Sequence, residues 1–314
     1  MTPSLTGARV VVVSGKGGVG KTTVAAALAL AAAGERKRVL LAELEDREAF
    51  APLFGRARLT YKEQQLTPSI WGLTVEVDEA LVEYLRLFYG IPRLSRALIR
   101  SRAVEFATHT APGLKDILLI GKIKSAESER TDGRLRYDQI VVDAPPTGRL
   151  PRFLDAPRAI VELVGAGPIR RQAKSVRDMV EDPRRLQVVL VTHPEEMAVR
   201  ETIEAAETLG KMGVALGPIV VNGLVPSIPN LGRDPEATLR AQAREENLAL
   251  DEAAIAELAR VAASRARRAR NQRKAIAELN AALDLPHVEL PLLFTDGIGR
   301  AELDLLAARL REPT

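Results

Sequence analysis

The sequence predicts an α/β protein: one doubly wound, mostly parallel sheet carrying an inserted helical subdomain. Three observations carry that prediction. Short apolar runs rich in β-branched residues recur along the chain, helical patterns alternate with them, and a glycine-rich turn joins the first run to the first helix. Such alternation builds parallel βαβ units, whose strands are buried on both faces and so read as continuous apolar runs.

In chain order the runs fall at residues 10–13, 39–41, 73–77, 140–142, 188–192, 219–221 and 288–290, each bounded by glycine, proline or charge. Helical patterns occupy residues 22–33 and 198–209 and a long Ala/Arg/Glu segment at about 251–283. The alternation breaks between about residues 82 and 130, where Leu81, Tyr84, Leu85 and Phe88, then Leu114, Ile117 and Leu118, recur at helical spacing. These positions predict a helical subdomain inserted at about residues 80–135, with a further helical part at about 152–184, within a single domain spanning residues 1–314. Residues 226–247 read as a surface loop running into a charged helix. The last helical pattern, at about 300–310, is short and acidic at its start, a poor membrane anchor.

Composition narrows the chemistry. A chain of 314 residues with 46% hydrophobic content fills a core, which excludes disorder as the main state. It has no cysteine, so disulfides, thiolate zinc sites, iron–sulfur ligation and a cysteine nucleophile are excluded. Forty-five basic residues against 41 acidic ones leave a net charge of only +4, well mixed, and no nucleic-acid partner is expected. The basic run at residues 265–274 lacks interleaved aromatics and reads as a solvated helix face. His109, His193 and His287 are scattered without metal-ligand spacing. The longest apolar run, residues 24–33, is about half of what crossing a bilayer requires, and no signal-peptide pattern opens the chain, so a cytoplasmic protein is expected.

Directly after the first strand comes Gly15-Lys16-Gly17-Gly18-Val19-Gly20-Lys21-Thr22-Thr23, and a helix follows at once. Every fixed position of a phosphate-binding loop is filled. The glycines let backbone N–H groups of Gly17 through Thr23 turn toward phosphate oxygens, the helix start adds partial positive charge, Lys21 neutralises phosphate and Thr22 ligates Mg²⁺. ATP and Mg²⁺ are the expected cofactors. Downstream, the strand Tyr137-Asp138-Gln139-Ile140-Val141-Val142-Asp143 ends in an acid suited to the water shell of that metal ion.

The Gly-Lys-Gly-Gly-x-Gly-Lys-Thr loop resembles the deviant Walker A form of the P-loop NTPase fold. Arsenite-pump ATPases, tail-anchored-protein targeting ATPases, and septum-positioning and plasmid-partition ATPases share it. In that group the early lysine, here Lys16, reaches across a dimer interface to the partner's nucleotide, so the resemblance implies ATP-dependent dimerisation. The run Ala144-Pro145-Pro146-Thr147-Gly148-Arg149-Leu150-Pro151-Arg152-Phe153-Leu154 looks like the second switch of the arsenite-pump and tail-anchored-targeting branch, Thr-Ala-Pro-Thr-Gly-His-Thr-Leu-Arg-Phe-Leu after the aspartate. Ala111-Pro112-Gly113-Leu114-Lys115 is similar to another segment of that branch. Asn222 falls where its members recognise adenine, and Pro291 and Leu293, in Pro291-Leu292-Leu293-Phe294, fall where they line the adenine pocket.

Two departures qualify the resemblance. The family's first switch reads Asp-Pro-Ala-His, its aspartate orienting the attacking water. Here Glu45 takes the aspartate position and Asp46 the proline position. The extra methylene shifts the carboxylate by about an ångström, and misplacement on that scale slows chemistry, so slow hydrolysis is expected. Glu43, two residues earlier, is expected to stop short of the phosphates. The absence of cysteine removes both the zinc clasp of the eukaryotic targeting members and the thiolates that bind arsenite, so no zinc is expected. Only Met179 falls in the helical region where targeting members keep a methionine-rich client groove. The resemblance implies a dimeric ATPase coupling nucleotide state to a hydrophobic-segment client or membrane-protein partner, as a homodimer or as a heterodimer with a sister ATPase. A weakly hydrolysing regulatory subunit of a heterodimer is the alternative, and a partition- or septum-type ATPase a third.

Overall fold

The computed structural model describes residues 4–45, 48–89, 113–228 and 234–311. Along the chain lie β1 (Val10–Gly15), α1 (Lys21–Gly34), β2 (Val39–Leu44), α2 (Phe50–Leu53), β3 (Gln64–Thr67), β4 (Ile70–Val75) and α3 (Val77–Tyr89). Then follow α4 (Leu114–Ser128), β5 (Arg130–Thr131), β6 (Arg134–Leu135), β7 (Gln139–Asp143), α5 (Leu150–Leu163), α6 (Pro168–Val180) and β8 (Leu186–Thr192). The chain continues through α7 (Glu196–Lys211), β9 (Ile219–Leu224), α8 (Pro235–Glu245), α9 (Glu252–Ala282), β10 (His287–Pro291) and α10 (Arg300–Arg311).

Eight strands form one sheet in the order β10-β9-β8-β1-β7-β2-β4-β3, parallel throughout except for β3, which pairs antiparallel with β4 at the edge. The mostly parallel, doubly wound architecture is therefore present. The structure adds to the expectation a short β5–β6 hairpin at the end of the segment read as helical, and it shifts one strand. The strand anticipated at 73–77 runs from Ile70 to Val75, preceded by the β3 strand, while Val77 already opens α3. Gln64 and Gln65 carry no apolar signal because an edge strand need not bury its outer face, and Asp78 and Glu79 suit the positive start of a helix.

Alternate residues of the strands feed two cores. Val10, Val12, Ile140, Val142, Val188 and Leu190 meet α4, α5 and α6 through Ile117, Leu119, Phe153, Leu154, Val176 and Met179. Val11, Val13, Leu41, Val141, Val189 and Val191 meet α1 and α10 on the other face. Helix α1 is buried continuously from Val24 to Ala32, since it lies between the sheet and α10. Its alanines permit that close approach, and an apolar helix without a polar face is what such burial requires. A third cluster joins Ile219 and Val221 of β9 to Ala275, Ile276 and Leu279 of α9.

Leu81, Leu85 and Leu114 pack against the first core, as do Tyr84, Ile117 and Leu118, and Met179 is fully buried there. These side chains therefore contribute to the core. Phe88's side chain, His109, Ala111, Pro112 and Asp46 lie outside the described residues. Among the described residues, no helix is long and apolar enough to cross a membrane.

Candidate functional site

β1 ends at the centre of the sheet, with β7 on one side and β8 on the other. Open α/β sheets bind ligands in the crevice beyond such carboxyl ends. Gly15 closes the strand, and a Cβ there would lie 2.1 Å from the Val191 carbonyl oxygen of β8, so no larger residue fits. Gly18 (φ +85) and Gly20 (φ +86) then take left-handed conformations that favour glycine. Around Gly17 and Gly18 no atom beyond their chain neighbours lies within 4 Å of where a Cβ would stand, so the loop's outer face is open. Gly20 caps α1 without a side-chain hydrogen bond, and a helix start of this kind offers its first backbone N–H groups to an anion. The buried Lys21 curls back over the loop, its Nζ donating to the Lys16 carbonyl at 2.9 Å.

Beside this cradle the Thr22 hydroxyl donates to Asp143 Oδ2 at 2.7 Å, and Asp143 is fully buried at the end of β7. A hydroxyl and a carboxylate at one point are the hard oxygen donors that Mg²⁺ takes, usually alongside water and phosphate oxygens. The pair fits that ion. Segment 143–148 is laced to β1 by Ser14 Oγ donating to the Pro145 carbonyl (2.6 Å) and by Thr147 N–H donating to the Gly15 carbonyl (3.2 Å).

Glu45 follows β2 in a left-handed conformation (φ +65), its N–H donating to the Val75 carbonyl. Its Oε1 receives Lys115 Nζ at 2.7 Å and Arg149 Nη1 at 2.6 Å, and the same guanidinium reaches Asp116 Oδ1 at 2.8 Å. Partial burial pushes the Glu45 carboxyl up, but the hydrogen bonds from Lys115 and Arg149 outweigh it and hold the group below the usual carboxylate range. Glu43 is no bystander. It is fully buried, accepting from Ala49 N–H at 2.8 Å and from the Thr74 hydroxyl at 3.2 Å, and so fixes the turn after β2.

Asn222 of β9 donates its amide to the Val19 carbonyl at 3.0 Å, and a Cβ on Gly20 would meet that amide nitrogen at 2.4 Å. Its carbonyl oxygen and second N–H remain as the acceptor–donor pair that suits a base edge. Pro291 pairs with Leu224, and Leu292 N–H donates to the Leu224 carbonyl at 2.7 Å. Leu293 is partly buried against the α1-side core. The guanidinium of Arg265 lies 5.5 Å above the exposed Phe294 ring and donates to the Pro226 carbonyl.

The loop residues, Lys16, Asp143 and Asn222 thus surround one cradle, with Glu45 joined to segment 143–149 through Arg149. Sequence reasoning gave no role to Lys115, Asp116, Thr147, Arg149 or Glu201. Lys115, Thr147 and Arg149 were visible inside motifs, whereas Asp116 and Glu201 are ordinary acids on helices with no sequence signal.

The family model for anion-transporting ATPases matches residues 8–167 and 166–257. The chain belongs to this anion-transporting ATPase family. It is 38% identical to the ATPase BagA of Mycobacterium tuberculosis over 98% of this chain and 94% of that protein. The arsenical pump-driving ATPases of Acidiphilium multivorum and Escherichia coli are 27% and 25% identical over 78% and 68% of this chain, and it covers 44% and 39% of those proteins. The matched residues of the anion-transporting ATPase model include the glycine loop, Glu45, Asp143, Arg149, Glu201 and Asn222, while Pro291 and Leu293 lie beyond them. Glu45 and Arg149, both within the matched residues, bind each other directly.

Proposed function

We propose that this chain is a cytoplasmic ATPase that binds ATP with Mg²⁺, hydrolyses it slowly, and couples nucleotide state to association with a second ATPase subunit and with a client or partner protein. The observation that carries the reading is the open glycine cradle at the start of α1, with Lys21 folded over it and the Thr22–Asp143 pair at its side. In this reading the backbone N–H groups from Gly17 to Thr23 and Lys21 hold the phosphates, and Thr22 and Asp143 hold the metal ion, which when bound neutralises developing charge. Asn222 reads the adenine edge, with Pro291 and Leu293 beside it. Glu45 aligns the attacking water, and Lys16 serves a nucleotide across the subunit interface. With no cysteine, the chain has no thiolate for a metalloid cargo.

A second reading, a regulatory subunit that hydrolyses poorly alone, is favoured by one observation: both Lys115 and Arg149 already occupy the Glu45 carboxylate. The deciding experiment is thermal unfolding with ATP·Mg²⁺. Binding to the native state alone stabilises by about 2.7 kcal/mol at a hundred times the dissociation constant, so the melting temperature should rise, and Lys21→Ala should abolish the rise. No shift in the unmodified protein would sink nucleotide binding. Hydrolysis that appears only after a sister ATPase is added would replace the first reading with the second.

A further inference from the structure

Lys16 is not idle in this structure. Its Nζ lies 3.4 Å from Glu201 Oε2 on α7, and the other oxygen of that carboxylate, Oε1, accepts from the Thr147 hydroxyl at 2.5 Å. Thr147 is buried and its N–H is tied to Gly15, the residue before Lys16. One carboxylate therefore bridges the first lysine of the glycine loop and the segment that follows Asp143. Its base is rigid, because Ala198, Val199, Thr202, Ala205 and Ala206 bury the other side of α7.

The two halves of the bridge differ in strength. The Lys16–Glu201 pair is half-exposed, with side-chain exposures of 40% and 34%, and an ion pair of that kind changes an equilibrium by about fivefold at most. The hydroxyl bond to Thr147 is charge-assisted and shielded on the threonine side, which makes it the firmer half. A carboxylate held firmly by one segment and loosely by a cation is suited to passing that cation on.

We propose that Glu201 is a positioning residue for Lys16: it holds the ammonium group against α7 in the unpaired subunit and yields it to the triphosphate of the facing subunit's ATP when two subunits close. The proposal rests on the nucleotide-binding reading given above, and it adds a residue that competes with ATP for Lys16. Because Lys16 is shared between two anions, weakening one attachment must strengthen the other. Removing the Glu201 charge should therefore tighten ATP binding, through Lys16 and only through Lys16.

Two measurements test this. The first uses no nucleotide: a brief pulse of an amine-acylating reagent, read by mass spectrometry at Lys16, in the unmodified protein and in Glu201→Gln, which keeps an oxygen for Thr147. Lys16 should react about two- to fivefold faster in the variant. The second is a double-mutant cycle on ATP·Mg²⁺ affinity, measured at protein concentrations where subunits associate. Glu201→Gln should tighten ATP by a similar factor in the Lys16 background and by none in the Lys16→Ala background. Equal acylation rates overturn the holding contact. Unequal rates with no gain in ATP affinity, or a gain that survives Lys16→Ala, overturn the exchange. If the unmodified protein binds no ATP, the nucleotide reading and the exchange fall together, while the acylation arm still decides whether Glu201 holds Lys16.

Discussion

Glu45 combines two features that rarely coincide on a bystander. Its left-handed backbone costs a side-chain-bearing residue on the order of 1–3 kcal/mol, a strain that persists only where the surroundings over-determine it. Its carboxylate also gathers Lys115 and Arg149 from two other segments of the chain. Glu45→Gln keeps the shape and removes the charge, so hydrolysis should fall, on the order of tenfold to a hundredfold, with ATP affinity retained. Arg149→Gln tests the same carboxylate from the other side. Lys115 and Arg149 hold the Glu45 carboxyl below its usual range, so its anion survives into mild acid. Without Arg149 it takes up a proton at higher pH, and the acidic limb of the pH–rate profile should move toward neutrality. An unmoved limb in Arg149→Gln would remove Glu45 from the chemistry. Unchanged hydrolysis in Glu45→Gln would do the same.

At the scale of elements, the ends of the central strands opposite the cradle are held by Glu127, near the end of α4. Its carboxylate takes Arg185, which precedes β8, at 3.1 and 3.0 Å and Lys124 at 3.1 Å, while Arg9, which precedes β1, donates to its carbonyl at 2.6 Å. Burial pushes the Glu127 carboxyl up, but Arg185 and Lys124 bring it down to about 2. A carboxylate with a depressed native pKa contributes stability that is full above its unfolded value, about 4.3, and is lost as pH falls toward the native value. Glu127→Gln should therefore destabilise the protein near neutrality by about 3 kcal/mol. Its urea midpoint should converge on that of the unmodified protein as the pH is lowered from about 5. A gap that stays constant with pH would mean that Glu127 acts through packing alone. None of this cluster is legible in the sequence, because Arg9, Lys124, Glu127 and Arg185 come from three distant segments and each is an ordinary surface residue type. The glycine loop is legible for the opposite reason: Gly15 to Thr23 are contiguous, and three of its four glycines answer a backbone demand, a close approach at Gly15 and left-handed turns at Gly18 and Gly20. The buried strands were readable from their apolar runs, and the β3 edge strand was not, since Gln64 and Gln65 need no core. Glu43 shows the limit within one strand. Its spacing suggested distance from the phosphates, but nothing in the spacing revealed the buried acceptors it offers to Ala49 and Thr74.

At the scale of the whole molecule, the route from cradle to helical layer is short and continuous. Asp143 ends β7, a six-residue turn carrying Thr147 and Arg149 follows, and Leu150 then opens α5. Helix α5 buries Leu150, Phe153, Leu154 and Ile160 in the sheet-side core and packs along α4 and α6. Arg149 also grips Asp116 in the first turn of α4, so any shift of segment 143–149 is applied to two helices at once. Close-packed interiors transmit such shifts because they repack between discrete arrangements and do not deform smoothly. ATP·Mg²⁺ should accordingly alter amide hydrogen exchange in the first turns of α5 and α4 as well as in the glycine loop. The same change should be absent in Lys21→Ala, and in Arg149→Gln, which removes the Arg149–Asp116 contact, it should be weakened more in α4 than in α5. Protection confined to residues 15–23 in the unmodified protein would mean that nucleotide binding ends at the loop, and coupling to a client through the helical layer would have to be abandoned.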